Sequence, residues 1–175
     1  MYFLEGVRKM YSVGNIVIYT LYGICTITEE TERFFNGVNT KYFVLVPLSD
    51  TKTKITVPAE NPITLSRIHS LLPSNEIEAI IEEIPFLETI WIENDNQRKK
   101  EFGDIIKAGN RKEILQMMKS IYTHALGLKN KGRKLHVSDE QCMRDGEKLI
   151  LDEFSYVLGK DRILLASEIK NKFSA

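Results

Sequence analysis

Apolar and polar positions along this chain follow two different rhythms, and the change comes near Pro62. Before it, short apolar runs alternate with turn residues. Ile16 to Tyr19 is a β-branched and aromatic run, and Gly23 then opens a second run, Ile24 to Thr28. Residues 29–36 continue that strand or bend away from it. Asn36-Gly37 supplies the positive φ angles of a tight hairpin. Lys41 to Pro47 and Thr53 to Val57 read as the third and fourth strands, with Pro58 as a stop. Four or five short strands in such a length predict a small, strongly curved sheet or barrel. At period two, Val17, Tyr19, Ile27, Phe43, Leu45 and Val57 are its expected core. An edge strand of such a sheet is open to pairing with another protein.

After Pro62 the spacing becomes helical. Ser74 is the expected cap of a helix to about Ile84, with Ile77, Ile80, Ile81 and Ile84 on one face and Pro85 as its end. A helix from Asn96 to Ala108 follows, stopped by Gly109. Asn110 and Glu113 have capping-box spacing and open a long helix carrying Ile114, Leu115, Met118, Ile121, Tyr122, Ala125 and Leu128. The Met117–Met118 pair reads as core filler. Ser138 and Gln141 form a second capping box before a helix to Leu158, and Asp161 caps a last helix from Arg162 to Phe173. The expected fold class is therefore α+β with two domains: a small curved β-sheet or barrel, then an all-α helical bundle.

Charge divides this picture further. The 175-residue chain is neutral overall, yet residues 62–96 carry net −6 and residues 97–175 net +6. The concentration is strongest from Arg98 to Lys134, where eleven Lys and Arg face three acids. A basic, helix-patterned segment in a neutral chain points to polyanions; the competing reading is an ordinary solvated helical face. Such cations, lying on helix faces and in a loop, suit phosphates better than base edges. A protein–protein adaptor without DNA contact is the alternative function.

Catalytic patterns are missing. His69, His124 and His136 are scattered, and no glycine-rich phosphate loop or His pair with metalloprotease spacing occurs. Glu82 and Glu83 project from different faces of one helix. Cys25 and Cys142 have no metal-ligand spacing and no activating context, consistent with reduced thiols in the cytoplasm. The chain is not expected to be an enzyme or to need a cofactor. No apolar run is long enough to span a membrane.

Several stretches, in order, resemble the CarD/CdnL family of transcription regulators. YSVGNIVIYTLYGICTI carries a valine–glycine turn (Val13, Gly14), a strand ending in Tyr19 and then Gly23. KYFVLVPL and the VPAEN of Val57–Asn61 follow, then RKKEFGDIIKAGNRKEI and KGRKLHVSDEQCMRDGEKLILDEFSYVLG. Together they cover about residues 10–160. The resemblance implies a Tudor-like domain at 10–61 that binds the RNA polymerase β subunit. Residues 62–96 become an acidic helical connector and 97–175 a helical DNA-binding domain. Residues 1–9 read as an extension. The implied role is non-enzymatic: promoter binding that stabilises the open complex, in a cytoplasmic, nucleoid-associated protein. A related module occurs in transcription-repair coupling factors, but no helicase motif is present, which favours a stand-alone regulator.

The resemblance also assigns residues. Arg33 falls at the family's basic polymerase-contacting position. Its second basic contact falls at Thr56, with Lys54 on the same strand face as a substitute. Promoter contacts are expected from Arg98, Lys99 and Lys100 and from Lys129, Lys131, Arg133 and Lys134. The family's tryptophan wedge, which meets the bubble edge, has its counterpart either in Trp91, one helical turn before the aligned Asp95, or in no residue. In the latter case Trp91 packs the domain junction.

Overall fold

The computed structural model describes residues 11–20 and 22–175. The extension expected at residues 1–9 lies outside the described residues. Four strands run β1 (Ile16–Tyr19), β2 (Gly23–Phe35), β3 (Val38–Pro47) and β4 (Ile55–Pro58). A one-turn helix α1 (Pro62–Leu65) leads to β5 (Ile68–Ser70). The helical half comprises α2 (Ser74–Glu83), a 3-10 turn (Ile84–Phe86), α3 (Asp95–Ala108), α4 (Arg111–Asn130), α5 (Val137–Leu158) and α6 (Arg162–Ser174).

The strands form one open antiparallel sheet in the order β4-β3-β2-β1-β5. Its spine is the β2–β3 hairpin. Asn36 (φ 49°) and Gly37 (φ 80°) both take positive φ, the turn geometry whose twist matches the flanking strands. Residues 29–35 continue the second strand, so β2 is longer than the short element expected. A bulge between Ile27 and Glu29 resets its register against β3. The six expected core residues of the sheet are all buried, joined by Cys25 and Ile68.

Two expectations about the division of the chain need correcting. The sheet does not end before Pro62, because β5 pairs Ile68, His69 and Ser70 with Tyr19, Ile18 and Val17. Nor do residues 62–96 only connect. Ile77, Ile80, Ile81 and Ile84 are buried in the same apolar cluster as Phe102, Leu115, Ile121, Ile150 and Phe154. Acidic residues cover the outer side of α2, and its isoleucines belong to the helical core. Lys119, itself buried, donates to the carbonyls of Ile84 (3.2 Å) and Pro85 (2.7 Å) where α2 ends.

Helix ends follow the sequence at some points and differ at others. Asn110 caps α4 through its side chain, accepting from the Lys112 and Glu113 amides, and Asp161 caps α6 in the same way. Asn94 caps α3 and accepts from the Gln97 amide. Ser74 and Ser138 are not caps. Pro73 precedes α2 without a side-chain bond, and His136 caps α5 by accepting from the Ser138 amide.

Sheet and helices share a core. Ile18 and Ile24, on the sheet face opposite its own core, join the helical cluster. Next to them an ion pair spans the junction. Arg111 donates through Nε to Glu153 Oε2 (2.7 Å) and through Nη2 to Glu153 Oε1 (2.9 Å). It also reaches the carbonyls of Ser70 (2.8 Å) and Gly109 (2.9 Å). Glu153, 1% exposed, accepts the Leu72 amide as well (2.8 Å). Gly109, in the left-handed region at φ 70°, packs against the His69 ring, which a Cβ at this position would strike. Only glycine allows β5 and the α3–α4 corner to approach this closely.

Candidate nucleic-acid interface

The basic segment sorts itself into internal and free charges. Arg98 is 3% exposed. It donates to both carboxylate oxygens of Asp139 (2.9 and 2.8 Å), to Asp95 (2.7 Å) and to the Ile92 carbonyl (2.6 Å). The hydrogen bonds to Asp139 raise its pKa further, outweighing burial. Arg111 and Lys119 serve the core as described. Lys107 pairs with Asp104, and Lys112 with Glu83. The remaining six, Lys99, Lys100, Lys129, Lys131, Arg133 and Lys134, are exposed, and none has an ion-pair partner among the described residues. The expectation that Arg98 faces DNA beside Lys99 and Lys100 does not survive its burial. A guanidinium held by two carboxylates has no donor geometry left for a phosphate.

Of these six, Lys134 lines a cleft where three elements meet. Arg98 and Asp139 tie the start of α3 to the start of α5. Trp91 is stacked on His124 of α4 at 3.6 Å with 12° between the ring planes. The Arg98 guanidinium lies 4.2 Å from the Trp91 ring centre, and Phe102 meets the indole edge-on. This open cleft of about 180 Å³ is lined by the acids Glu93, Asp95 and Asp139 as well as by Trp91, Arg98, His124, Leu128, Lys134 and His136. The amino ends of α3 and α5 therefore converge here with the Lys129–Lys134 turn. Helix amino ends carry partial positive charge, and here Asp95 in the first turn of α3 and Asp139 and Glu140 in that of α5 already complement it, so the exposed lysines around the cleft are what remains for an outside anion.

Trp91 is half-buried. It packs within the helical half, against α3 and α4, not at the junction between sheet and helices. Its ring is already in contact with His124 and Arg98, so insertion at a base step requires it to leave that stack. Nothing in the local sequence signals these contacts: His124 lies 33 positions away and Asp139 lies 41 from Arg98.

On the sheet, Arg33 sits opposite Thr40 near the hairpin tip, 5.6 Å from the Tyr42 ring centre. Thr56 lies opposite Val44 on edge strand β4. Lys54, just before that strand, bonds Glu29 (3.2 Å) while staying exposed. In β3 numbering Thr40, Tyr42 and Val44 share one face, so Arg33 and Thr56 share it too. Sequence reading did not single out the apolar tip beside them, Phe34 and Val38, which are 75% and 61% exposed.

Reactive groups are muted. Burial pushes the Cys25 thiol up to about 11 and raises Cys142 as well. Among the described residues, no three His, Cys, Asp or Glu side chains converge as metal ligands. No described helix is long and apolar enough to cross a membrane.

Residues 11–69 match the family model of the CarD-like/TRCF RID domain. The sheet domain is a CarD-like RID domain. The domain so described is an RNA polymerase-interacting one, which supports a transcription-related, RNA polymerase-interacting protein. The matched range ends within β5, covers about a third of the chain and leaves α2 to α6 outside it. A comparison with curated proteins gave no match.

Proposed function

We propose that the chain is a stand-alone transcription regulator that holds the RNA polymerase β subunit with its RID domain and promoter DNA with its helical end, stabilising the open complex. It acts in the cytoplasm, associated with the nucleoid. The observation that carries the DNA half is the set of six unpaired cations at one end of a bundle fixed to an RNA polymerase-interacting domain. Lys99, Lys100, Lys129, Lys131, Arg133 and Lys134 contact phosphates without reading sequence. Arg98 holds the surface in shape from beneath. Trp91 leaves its stack on His124 to meet an unstacked base at the bubble edge.

Filter binding of the full chain to duplex DNA across a salt series tests this reading. If all six cations release counterions, the log–log slope will be about −5. The same titration with a bubble duplex should shift the emission of Trp91, the only tryptophan, more than intact duplex does. A chain that retains no duplex at low salt is an adaptor and not a DNA-binding protein.

Polymerase docking is assigned to the face shared by Arg33, Lys54 and Thr56 and to the open edge of β4. An edge strand offers backbone donors and acceptors, and the two cations supply complementarity to acids on the partner. Arg33→Glu should weaken binding to the β subunit by at least about tenfold, the worth of roughly 1.4 kcal/mol. DNA binding should be unchanged, because Arg33 lies on β2, outside the basic end. Unaltered polymerase affinity in a pull-down titration would remove Arg33 from the contact.

A further inference from the structure

The Arg111–Glu153 pair is the feature for which neither DNA binding nor polymerase docking has a direct use. It lies inside the protein, with side chains 12% and 1% exposed. Its bonds join four places at once: Ser70 at the end of β5, Leu72 just beyond it, Gly109 at the α3–α4 corner, and Glu153 in α5. The apolar contact beside it, Ile18 and Ile24 against the helices, is non-directional and tolerates sliding. The bidentate pair is directional and does not. His69 against Gly109 closes the same seam by shape.

We infer that Arg111 and Glu153 are positioning residues that fix the angle between the polymerase-docking sheet and the DNA-facing end. This rests on the function proposed above. From Glu153 to the first residue of α5, sixteen residues of helix span about 24 Å. A change of about 10° at the pair moves that end by about 4 Å, more than the roughly 3.4 Å of axial rise per phosphate of one strand. A protein bound to polymerase through a loose seam would present its lysines out of register with the duplex. A fixed seam makes the second contact intramolecular at a defined place and raises its effective concentration.

The test uses the full chain as Arg111→Met/Glu153→Met, which replaces the pair by apolar groups of similar reach without leaving one charge buried alone. Glu153→Gln is the milder second variant, retaining an acceptor for the Leu72 amide. Thermal melts establish that each is folded. Spin labels at Thr51→Cys and Asn130→Cys, both exposed positions, report the distance between the halves. The wild-type pair should give one narrow distance, and the double Met variant a distribution broadened well beyond it. Binding to polymerase alone and to duplex alone should stay within about twofold. The extra affinity for a polymerase–promoter complex over polymerase alone should fall by at least about fivefold. A folded double variant that keeps the narrow distance, or that keeps the full joint gain, overturns the inference. A wild type with a narrow distance but no joint gain points instead to a failure of the DNA-binding reading.

Discussion

Lys129→Gln, Lys131→Gln, Arg133→Gln and Lys134→Gln combined should lower affinity for duplex DNA by on the order of 10³ at 0.1 M salt. Each phosphate contact contributes about 0.9 of a decade there through released counterions, and four are removed. The slope against salt should shrink from about −5 to about −2, set by the remaining Lys99 and Lys100. Stability should hardly change, since all four side chains are exposed and unpaired. Filter binding over a salt series reads both quantities at once. A loss of affinity without a change in slope would mean that the four residues act through shape and not through phosphate contact.

Arg98→Ala will have the largest effect on stability. The substitution leaves Asp139, 1% exposed, without its bidentate partner, and breaking a buried pair from one side costs roughly 3–5 kcal/mol. For a chain of this size that corresponds to roughly 6–20 °C in melting temperature. The same change removes the cation beside the Trp91 ring and the donor to the Ile92 carbonyl, so the segment entering α3 loosens. Trp91 emission should shift toward that of an exposed indole. Arg98→Met/Asp139→Leu, in contrast, should recover most of the stability, because neither charge is then left unpaired. A single variant melting within about 2 °C of wild type would show the pair to be dispensable.

The contrast between those two groups of cations explains what the sequence could and could not reveal. Local devices were legible. Asn36-Gly37 announced the hairpin, Gly109 the end of α3, and Asn110 and Asp161 the caps, because each acts on neighbours within four residues. Period-two spacing found the sheet core for the same reason. Strand β5 was not legible. Three residues, Ile-His-Ser, have no rhythm of their own, and their strand state comes from pairing with β1 some fifty positions away. The cap of α5 was displaced from Ser138 to His136, and Asp139 turned inward to meet Arg98. Counting charge located the basic segment but treated Arg98, Arg111 and Lys119 as equivalent to Lys129 or Lys134. Burial decides which arginine is scaffold and which lysine is surface, and burial depends on partners that one-dimensional spacing does not contain.

The apolar cluster that takes in Ile18 and Ile24 carries a consequence for how the molecule can be divided. What is recognisable as a unit of descent, residues 11–69, shares part of its apolar burial with the helices and should melt with them. Severed at its familiar boundary, the sheet would present two bare isoleucines to water along a strip meant for α5. The cut would also fall inside β5 and remove Ser70, which pairs with Val17. Helix damage that uncovers Ile18 and Ile24 should therefore weaken polymerase docking, whereas loss of the Arg111–Glu153 pair alone leaves that apolar contact in place. Grafting this domain onto another protein requires a host surface that can stand in for α5, and a linker of the right length cannot supply one.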